Sequence, residues 1–131
     1  MVLKLLIEFF ADVNTVDFMG RTALHLACLT SNSCVAKILL DQGAEVNRWD
    51  KLKNTTPLHC AARSGSVECI QQLLRRGAYV NAGIEKRSAL HMAVEKNCLR
   101  CIETLLKYGA NPNTPQVNKI FLTISGFNII F

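Results

Sequence analysis

Apolar residues fall along this chain in short stretches with helical spacing, and the stretches come in pairs. The first stretch of a pair is rich in alanine, and the second is longer and more aliphatic. In one second stretch, Val35, Ile38 and Leu39 lie on one stripe of a helix. Because small polar residues and glycines separate the stretches, the pattern predicts pairs of short helices joined by turns and loops.

Two motifs recur at a period of about 33 residues. The first motif is Thr22-Ala23-Leu24-His25, Thr56-Pro57-Leu58-His59 and Ser88-Ala89-Leu90-His91. The second motif is 43–47, 77–81 and 109–113, with a weaker copy at 10–14. Recurrence of two separate motifs at a fixed period is typical of stacked repeat units.

Each unit carries residues that start and stop helices. Thr22, Thr56 and Ser88 precede the first stretch, where a hydroxyl group is suited to cap free N–H groups. Glycine, serine or asparagine separates the two stretches, and a glycine follows the second, as is favoured just beyond helix ends. The sequence therefore predicts a repeated helix–turn–helix–loop unit.

The T-P-L-H-x-A-A, L-L and G-A-x-V-N marks resemble the ankyrin repeat over residues 1 to about 114. The resemblance implies an all-α solenoid with about three full repeats and a partial N-terminal repeat. The expected boundaries are 1–16 for the partial repeat (second helix and loop only), 17–49, 50–83 and 84–114 for the full repeats, and 115–131 for an atypical apolar tail. The resemblance also makes the motif histidines (His25, His59 and His91) hydrogen-bonding struts to the neighbouring repeat, rather than catalytic or metal-binding groups.

Both ends depart from the repeat pattern. The apolar segment 1–10 lacks a small-residue cleavage site and is interrupted by Glu8, so it is interpreted as a structural helix and not as a signal peptide. Residues 117–131 are rich in Ile and Phe and patterned more like a strand. These ends favour the hypothesis of a truncated or alternatively ended product of a larger ankyrin protein. No apolar run approaches the ~20 residues of a transmembrane helix.

Six cysteines in 131 residues raise the question of disulfides or metal. Most of them lie inside apolar helical patterns, which favours a reducing compartment, the cytoplasm or nucleus. Cys98-x-x-Cys101 lacks the second pair that a structural zinc site needs, so no metal and no cofactor is expected. Cys34 and Cys98 are expected to be the most exposed thiols.

By resemblance, a partner protein binds along the concave surface of hairpin tips and first helices. The positions in that register are Phe18, Met19, Arg21, Leu29, Arg48, Trp49, Lys51, Leu52, Lys53, Arg63, Lys86 and Arg87. Trp49 is the only tryptophan, and two interpretations stay open: an interface anchor with Phe18 and Met19, or packing onto a neighbouring hairpin.

The charge of the chain bears on the kind of partner that it is expected to bind. The net charge is +5, and basic residues gather at the predicted tips, which favours an acidic partner segment. Ordinary solvated surface charge is the other interpretation. Asp17, Asp50 and Glu85 interrupt the basic residues, which argues against a nucleic-acid surface. A monomer is expected, with a tendency to associate through the apolar tail.

Asn14, Asn47 and Asn81 recur in the A-x-V-N loop, each eight residues after a leucine. The ankyrin resemblance makes them candidate substrates of an asparaginyl hydroxylase, with Asn47 the best match. The alternative role is capping of the turn after the helix.

The sequence thus predicts a protein-interaction module. It contains no nucleophile elbow and no phosphate-binding loop, so it is not expected to be an enzyme. The cysteine-bearing segments V-E-C-I and L-R-C-I resemble ankyrin proteins that end in a SOCS box and recruit ubiquitin ligases. A fragment of such a substrate-recognition subunit, with little independent activity, is the alternative.

Overall fold

The computed structural model describes residues 12–52, 54–83 and 88–112. The predicted helix over 1–10 and the apolar tail lie outside these ranges. The helices of the described residues are α1 (Ala23–Leu29), α2 (Ser33–Asp41), α3 (Pro57–Ser64), α4 (Val67–Arg75), α5 (Ala89–Lys96) and α6 (Leu99–Lys107). Within the described ranges there is no strand beyond one isolated bridge between Val16 and Thr22, which confirms the all-α prediction.

The first helix of each pair starts at the predicted hydroxyl residue. The hydroxyl oxygen of Thr22 accepts a 3.4 Å hydrogen bond from the His25 backbone N–H, and Ser88 accepts one of 3.3 Å from His91. Pro57 occupies the first turn of α3, where its missing N–H costs nothing. These caps satisfy donors that a helix start would otherwise leave free.

A tight turn separates the two helices of each pair. Gly65 adopts φ 75° after α3, Asn97 adopts φ 60° after α5, and Ser31 adopts φ 58° after α1. Glycine reaches this left-handed region without strain and asparagine tolerates it, whereas serine does so less readily. The predicted equivalence of these three turn positions is confirmed.

The helix pairs stack into two layers. The first helices pack in the order α1, α3, α5, and the second helices pack in the order α2, α4, α6. Ala27, Ala61 and Ala93 are buried between first helices, because only a small side chain lets neighbouring helices approach so closely. The core of the described residues therefore runs along the stack.

Hydrogen bonds also join consecutive units. The Nδ1 atom of His25 accepts from the Thr22 N–H at 3.1 Å, and its Nε2 atom lies 3.3 Å from the carbonyl oxygen of Thr55 in the next unit. The hydroxyl of Ser64 donates to the carbonyl oxygen of Cys28 at 2.8 Å. The predicted strut role is therefore confirmed for His25.

The layer of second helices has its own link between units. The guanidinium of Arg76, just after α4, donates to the carbonyl oxygen of Leu40 at 3.2 Å and pairs with the carboxylate of Asp41.

Among the described residues, no helix is both long and apolar enough to span a bilayer.

Candidate partner-binding surface

The first hairpin tip is organised by one aspartate. The Oδ1 atom of Asp17 accepts 2.9 Å hydrogen bonds from the backbone N–H groups of Met19 and Arg21. Its Oδ2 atom accepts from the Arg21 guanidinium at 3.0 Å. The hydrogen bond from the Arg21 backbone is the main reason that the pKa of Asp17 lies below its usual value. Because the turn uses Asp17 internally, Phe18 points outward and is 82% exposed.

A second aspartate organises the next tip. The Oδ1 atom of Asp50 accepts from the Asn54 N–H at 2.8 Å, and its Oδ2 atom accepts from the Thr55 hydroxyl at 2.9 Å. Burial alone would raise the pKa of Asp50, but these hydrogen bonds outweigh it and lower the pKa. Leu52 at this tip is 62% exposed.

The two tips are joined to each other. The backbone N–H of Lys51 donates to the carbonyl oxygen of Met19 at 2.8 Å. At Gly20 (φ 74°) a Cβ atom would stand 2.6 Å from the Lys51 nitrogen, so glycine is required for this close approach. Consecutive tips therefore form one surface rather than separate loops.

A groove of about 240 Å³ lies between these tips and the first helices. It brings together four residues of the predicted surface: Met19, Arg21, Leu29 and Arg63. The sequence reasoning did not assign the other lining residues to the surface: Asp50, Asn54, Thr55 and Cys60. Their repeat positions, in the loop before the T-P-L-H motif and directly after it, were the signal that would have placed them there.

Trp49, which directly precedes Asp50 in the chain, contacts the first turn of α3. Its ring packs against the His59 ring, with the centroids 5.6 Å apart, and the residue is half-buried. Of the two open interpretations, this contact favours packing, although onto the start of α3 rather than onto a neighbouring hairpin. Arg48 also precedes the turn, and its guanidinium donates to the Glu45 carboxylate at 3.0 Å.

The remaining predicted surface residues divide into two groups. Lys51 is exposed at the second tip and Arg63 is exposed on α3, and neither forms an ion pair with another described residue. Lys53, Lys86 and Arg87 lie outside the described residues. Arg21 and Arg48 are paired with acids, so Lys51 and Arg63 supply the unpaired positive charge of this part of the surface.

The recurring asparagines link consecutive loops rather than capping their own turns. The Oδ1 atom of Asn14 accepts from the Glu45 N–H at 2.8 Å. Asn47 donates to the Gly77 carbonyl oxygen at 3.1 Å, and Asn81 donates to that of Gly109 at 3.2 Å. The amide group of each side chain is thus engaged with the following unit.

The cysteines follow the predicted distribution in large part. Cys28, Cys60, Cys69 and Cys101 are buried, Cys34 is exposed and Cys98 is half-buried. All six are free thiols. Across the described ranges, no group of three or more His, Cys, Asp or Glu side chains is arranged to hold a metal ion.

Comparison with known proteins gives matches over most of the chain. The model of the family described as ankyrin repeats (3 copies) matches residues 1–50 and 47–116. The chain is 61% identical over 115 residues to the transient receptor potential channel pyrexia of Drosophila melanogaster, which spans 88% of the chain and 12% of that channel.

Two human proteins match shorter parts. The transient receptor potential cation channel subfamily A member 1 is 42% identical over 80 residues, which is 58% of the chain and 7% of that protein. Ankyrin repeat and SOCS box protein 6 is 40% identical over 62 residues, which is 47% of the chain and 15% of that protein. The chain therefore spans 15% or less of the length of each of these three relatives.

Proposed function

This chain belongs to the ankyrin-repeat family, and we propose that it binds a partner protein through the concave face of its hairpin tips and first helices. The observation that carries this proposal is the groove in which Met19, Arg21, Leu29 and Arg63 converge. Two apolar tip residues, Phe18 and Leu52, are 82% and 62% exposed. Aromatic residues, methionine and arginine are enriched in the buried cores of protein interfaces, and Phe18, Met19 and Arg21 are residues of these types.

The partner segment that we propose is acidic. Arg63 lines the groove and Lys51 is exposed at the second tip, and neither is neutralised by a described carboxylate. Unpaired positive charge at a binding face favours encounter with a negatively charged segment. Because Asp17 and Asp50 are held in their own turns by hydrogen bonds, their charge is fixed rather than free to move across the groove.

A binding measurement on matched variants tests this proposal. The tagged chain captures proteins from a cell lysate, and the affinity of a captured partner is then measured with the purified components. We expect Leu29→Ala and Arg63→Ala each to weaken binding about 10-fold, equivalent to about 1.4 kcal/mol. An acidic partner also predicts affinity that falls as salt is raised.

The controls lie in the other helix layer. Leu99→Ala matches Leu29→Ala, because both leucines are 36% exposed, and Arg100→Ala matches Arg63→Ala. We expect both controls to keep the affinity within about twofold, on the scale of exposed positions outside an interface. If all four variants bind equally well, the groove is not the binding face.

We propose as a second candidate that the stack works as one segment of a longer ankyrin array. The 61% identity over 115 residues to a transient receptor potential channel favours this alternative. Replacing the matching segment of that channel by residues 12–112 of this chain tests it. Retained channel currents support the proposal, whereas loss of current in a chimera that reaches the cell surface contradicts it.

The relation to ubiquitin-ligase subunits is a weaker form of the same alternative. The SOCS-box protein aligns with 47% of the chain, compared with 88% for the Drosophila channel.

We also propose that the chain carries out no catalytic reaction of its own. Both ring nitrogens of His25 are engaged in the helix cap and in the link to the next unit, so this histidine serves the scaffold.

A further inference from the structure

The sulfur atoms of Cys98 and Cys101 are 2.7 Å apart. This separation is within about 0.7 Å of a covalent disulfide bond of ~2.04 Å. Cys98 is the residue that precedes the first turn of α6, and Cys101 is the third residue of that helix. The two thiols therefore already face each other at the start of a regular helix.

The third unit differs from its neighbours at this position. Asn32 and Ser66, which precede α2 and α4, accept hydrogen bonds from the backbone N–H groups of Val35 and Cys69, both at 3.3 Å. Cys98 makes no such cap. In the third unit the residue before the helix is itself a cysteine, so two sulfur atoms meet at this position.

The two thiols differ in their access to solvent. Cys98 is half-buried, whereas Cys101 is 0% exposed. Burial raises the pKa of the Cys101 thiol, and the contact with Cys98 raises it further, so Cys101 ionises less readily than an ordinary thiol. A reagent from solution consequently meets Cys98 first.

We propose that Cys98 and Cys101 form a reversible intramolecular disulfide when a low-molecular-weight disulfide, such as oxidised glutathione, is present. The Cys98 thiol loses its proton to solvent, and its sulfur attacks one sulfur of oxidised glutathione. The glutathione disulfide bond breaks, one glutathione leaves and takes up a proton, and Cys98 carries a mixed disulfide.

The second step closes the ring. The Cys101 thiol loses its proton to solvent, its sulfur attacks the Cys98 sulfur as the thiolate, and the bond from Cys98 to glutathione breaks. The departing glutathione thiolate takes up a proton from solvent. Two protein thiols have then lost two electrons and two protons in total, and one glutathione disulfide has become two glutathione thiols.

The disulfide acts at the boundary between the second and third units. The Cys98 thiol lies 3.8 Å from the carbonyl oxygen of Gly65, as a donor from the third unit to the second. Once the sulfur is in a disulfide it has no proton, so this weak hydrogen bond is lost. The redox state of the pair therefore changes one contact between neighbouring repeats.

Trypsin provides a direct test, because Arg100 lies between the two cysteines. The full chain is equilibrated with oxidised glutathione, the free thiols are blocked with iodoacetamide, and the protein is digested without reduction. Cleavage after Lys96 and Arg100 puts Cys98 in peptide 97–100 and Cys101 in peptide 101–107. We expect the two peptides to be recovered as one disulfide-linked species, which dithiothreitol separates.

Two variants that copy the equivalent residues of the neighbouring units serve as controls. Cys98→Ser restores the cap residue found at Ser66, and Cys101→Val places the residue found at Val35. In Cys101→Val we expect Cys98 to stop as the glutathione adduct, and in Cys98→Ser we expect Cys101 to remain a free thiol. The proposal is overturned if wild-type chain shows glutathione on the exposed Cys34 but no linked peptide, or if Cys98 is linked to another cysteine instead.

Discussion

Asn47 accepts a 2.8 Å hydrogen bond from the backbone N–H of Tyr79, a residue 32 positions further along the chain. Its amide also donates to the carbonyl oxygen of Gly77, so one side chain holds the loop of the next unit at two points. Asn81 repeats the arrangement one unit later with Asn111 and Gly109. These bonds set the spacing of consecutive loops.

Replacing Asn47 with alanine removes both bonds. We expect Asn47→Ala to lower the free energy of unfolding by about 1–2 kcal/mol, because each hydrogen bond contributes about 0.5–1.5 kcal/mol and these two are exposed. Chemical denaturation of the purified chain measures this loss. Asn54→Ala is the matched control, expected to change stability by less, because Asn54 donates to Asp50 through its backbone N–H, which alanine keeps. Equal losses in the two variants would contradict the linking role of Asn47.

Gly20 and Gly43 allow the contact between hairpin tips to be isolated. Both have positive φ, 74° and 90°, but a Cβ atom on Gly20 would stand 2.6 Å from the Lys51 nitrogen, whereas one on Gly43 meets nothing within 4 Å. Gly43→Ala should therefore lower the free energy of unfolding only by the backbone strain, about 1 kcal/mol, and Gly20→Ala should lower it by more. Thermal melts of the two variants provide the comparison, and a smaller loss for Gly20→Ala would show that the tips do not meet in this way.

Acidification should destabilise the stack through its buried histidines. Burial is the main reason that the pKa of His25 lies below its usual value of 6.5, although hydrogen bonds to the backbone of Thr55 and Arg48 oppose this. The unfolded chain takes up a proton near 6.5, whereas the folded chain does so only at lower pH. Below about pH 6.5 the unfolded state therefore binds more protons, and the free energy of unfolding falls as the pH falls.

His91 shifts in the same direction, also mainly through burial. Because the pKa values of Asp17 and Asp50 are lowered, these two carboxylates stay ionised between pH 7.5 and 5.5 and do not contribute over that interval. We expect a lower melting temperature at pH 5.5 than at pH 7.5. An NMR titration that places the pKa of His25 at or above 6.5 would be the contrary result.

Hydroxylation of the loop asparagines remains a proposal with a simple measurement. Incubation of the chain with an asparaginyl hydroxylase should add 16 Da, the mass of one oxygen atom, at Asn47 ahead of Asn14 and Asn81. Peptide mass spectrometry locates the addition. An unmodified Asn47 in the presence of active enzyme would remove this proposal.

Much of the fold was accessible from the sequence because its determinants are local. The helix starts at Thr22 and Ser88 and the turn at Gly65 depend on residues that are close together along the chain. Local hydrogen bonding and allowed backbone angles decide such features. The sequence pattern therefore predicted them correctly.

The side-chain contacts of the surface were harder to predict from the sequence. Trp49 was placed at a tip because its position falls in a loop, but its contact with His59 depends on how the loop folds back onto α3. The sequence offered hydroxylation or turn capping for Asn47, but it did not show that its hydrogen-bond partners belong to the following unit. Contacts between units depend on how repeats are superposed in space, which the pattern within a single repeat does not specify.

The C-x-x-C spacing of Cys98 and Cys101 was visible in the sequence, but only the three-dimensional structure shows how closely their sulfurs approach. The charges of the groove were partly hidden for the same reason. Arg21 and Lys51 look alike in the sequence, yet Arg21 is paired with Asp17.

The links formed by His25, Asn47, Ser64 and Arg76 each connect one unit only to the unit beside it. Loss of any one of these links should therefore destabilise the units unequally. An outer unit should unfold while its neighbours keep their helices. Residue-resolved hydrogen exchange would then show amide protection that changes in steps from one unit to the next, rather than one common value for the whole molecule.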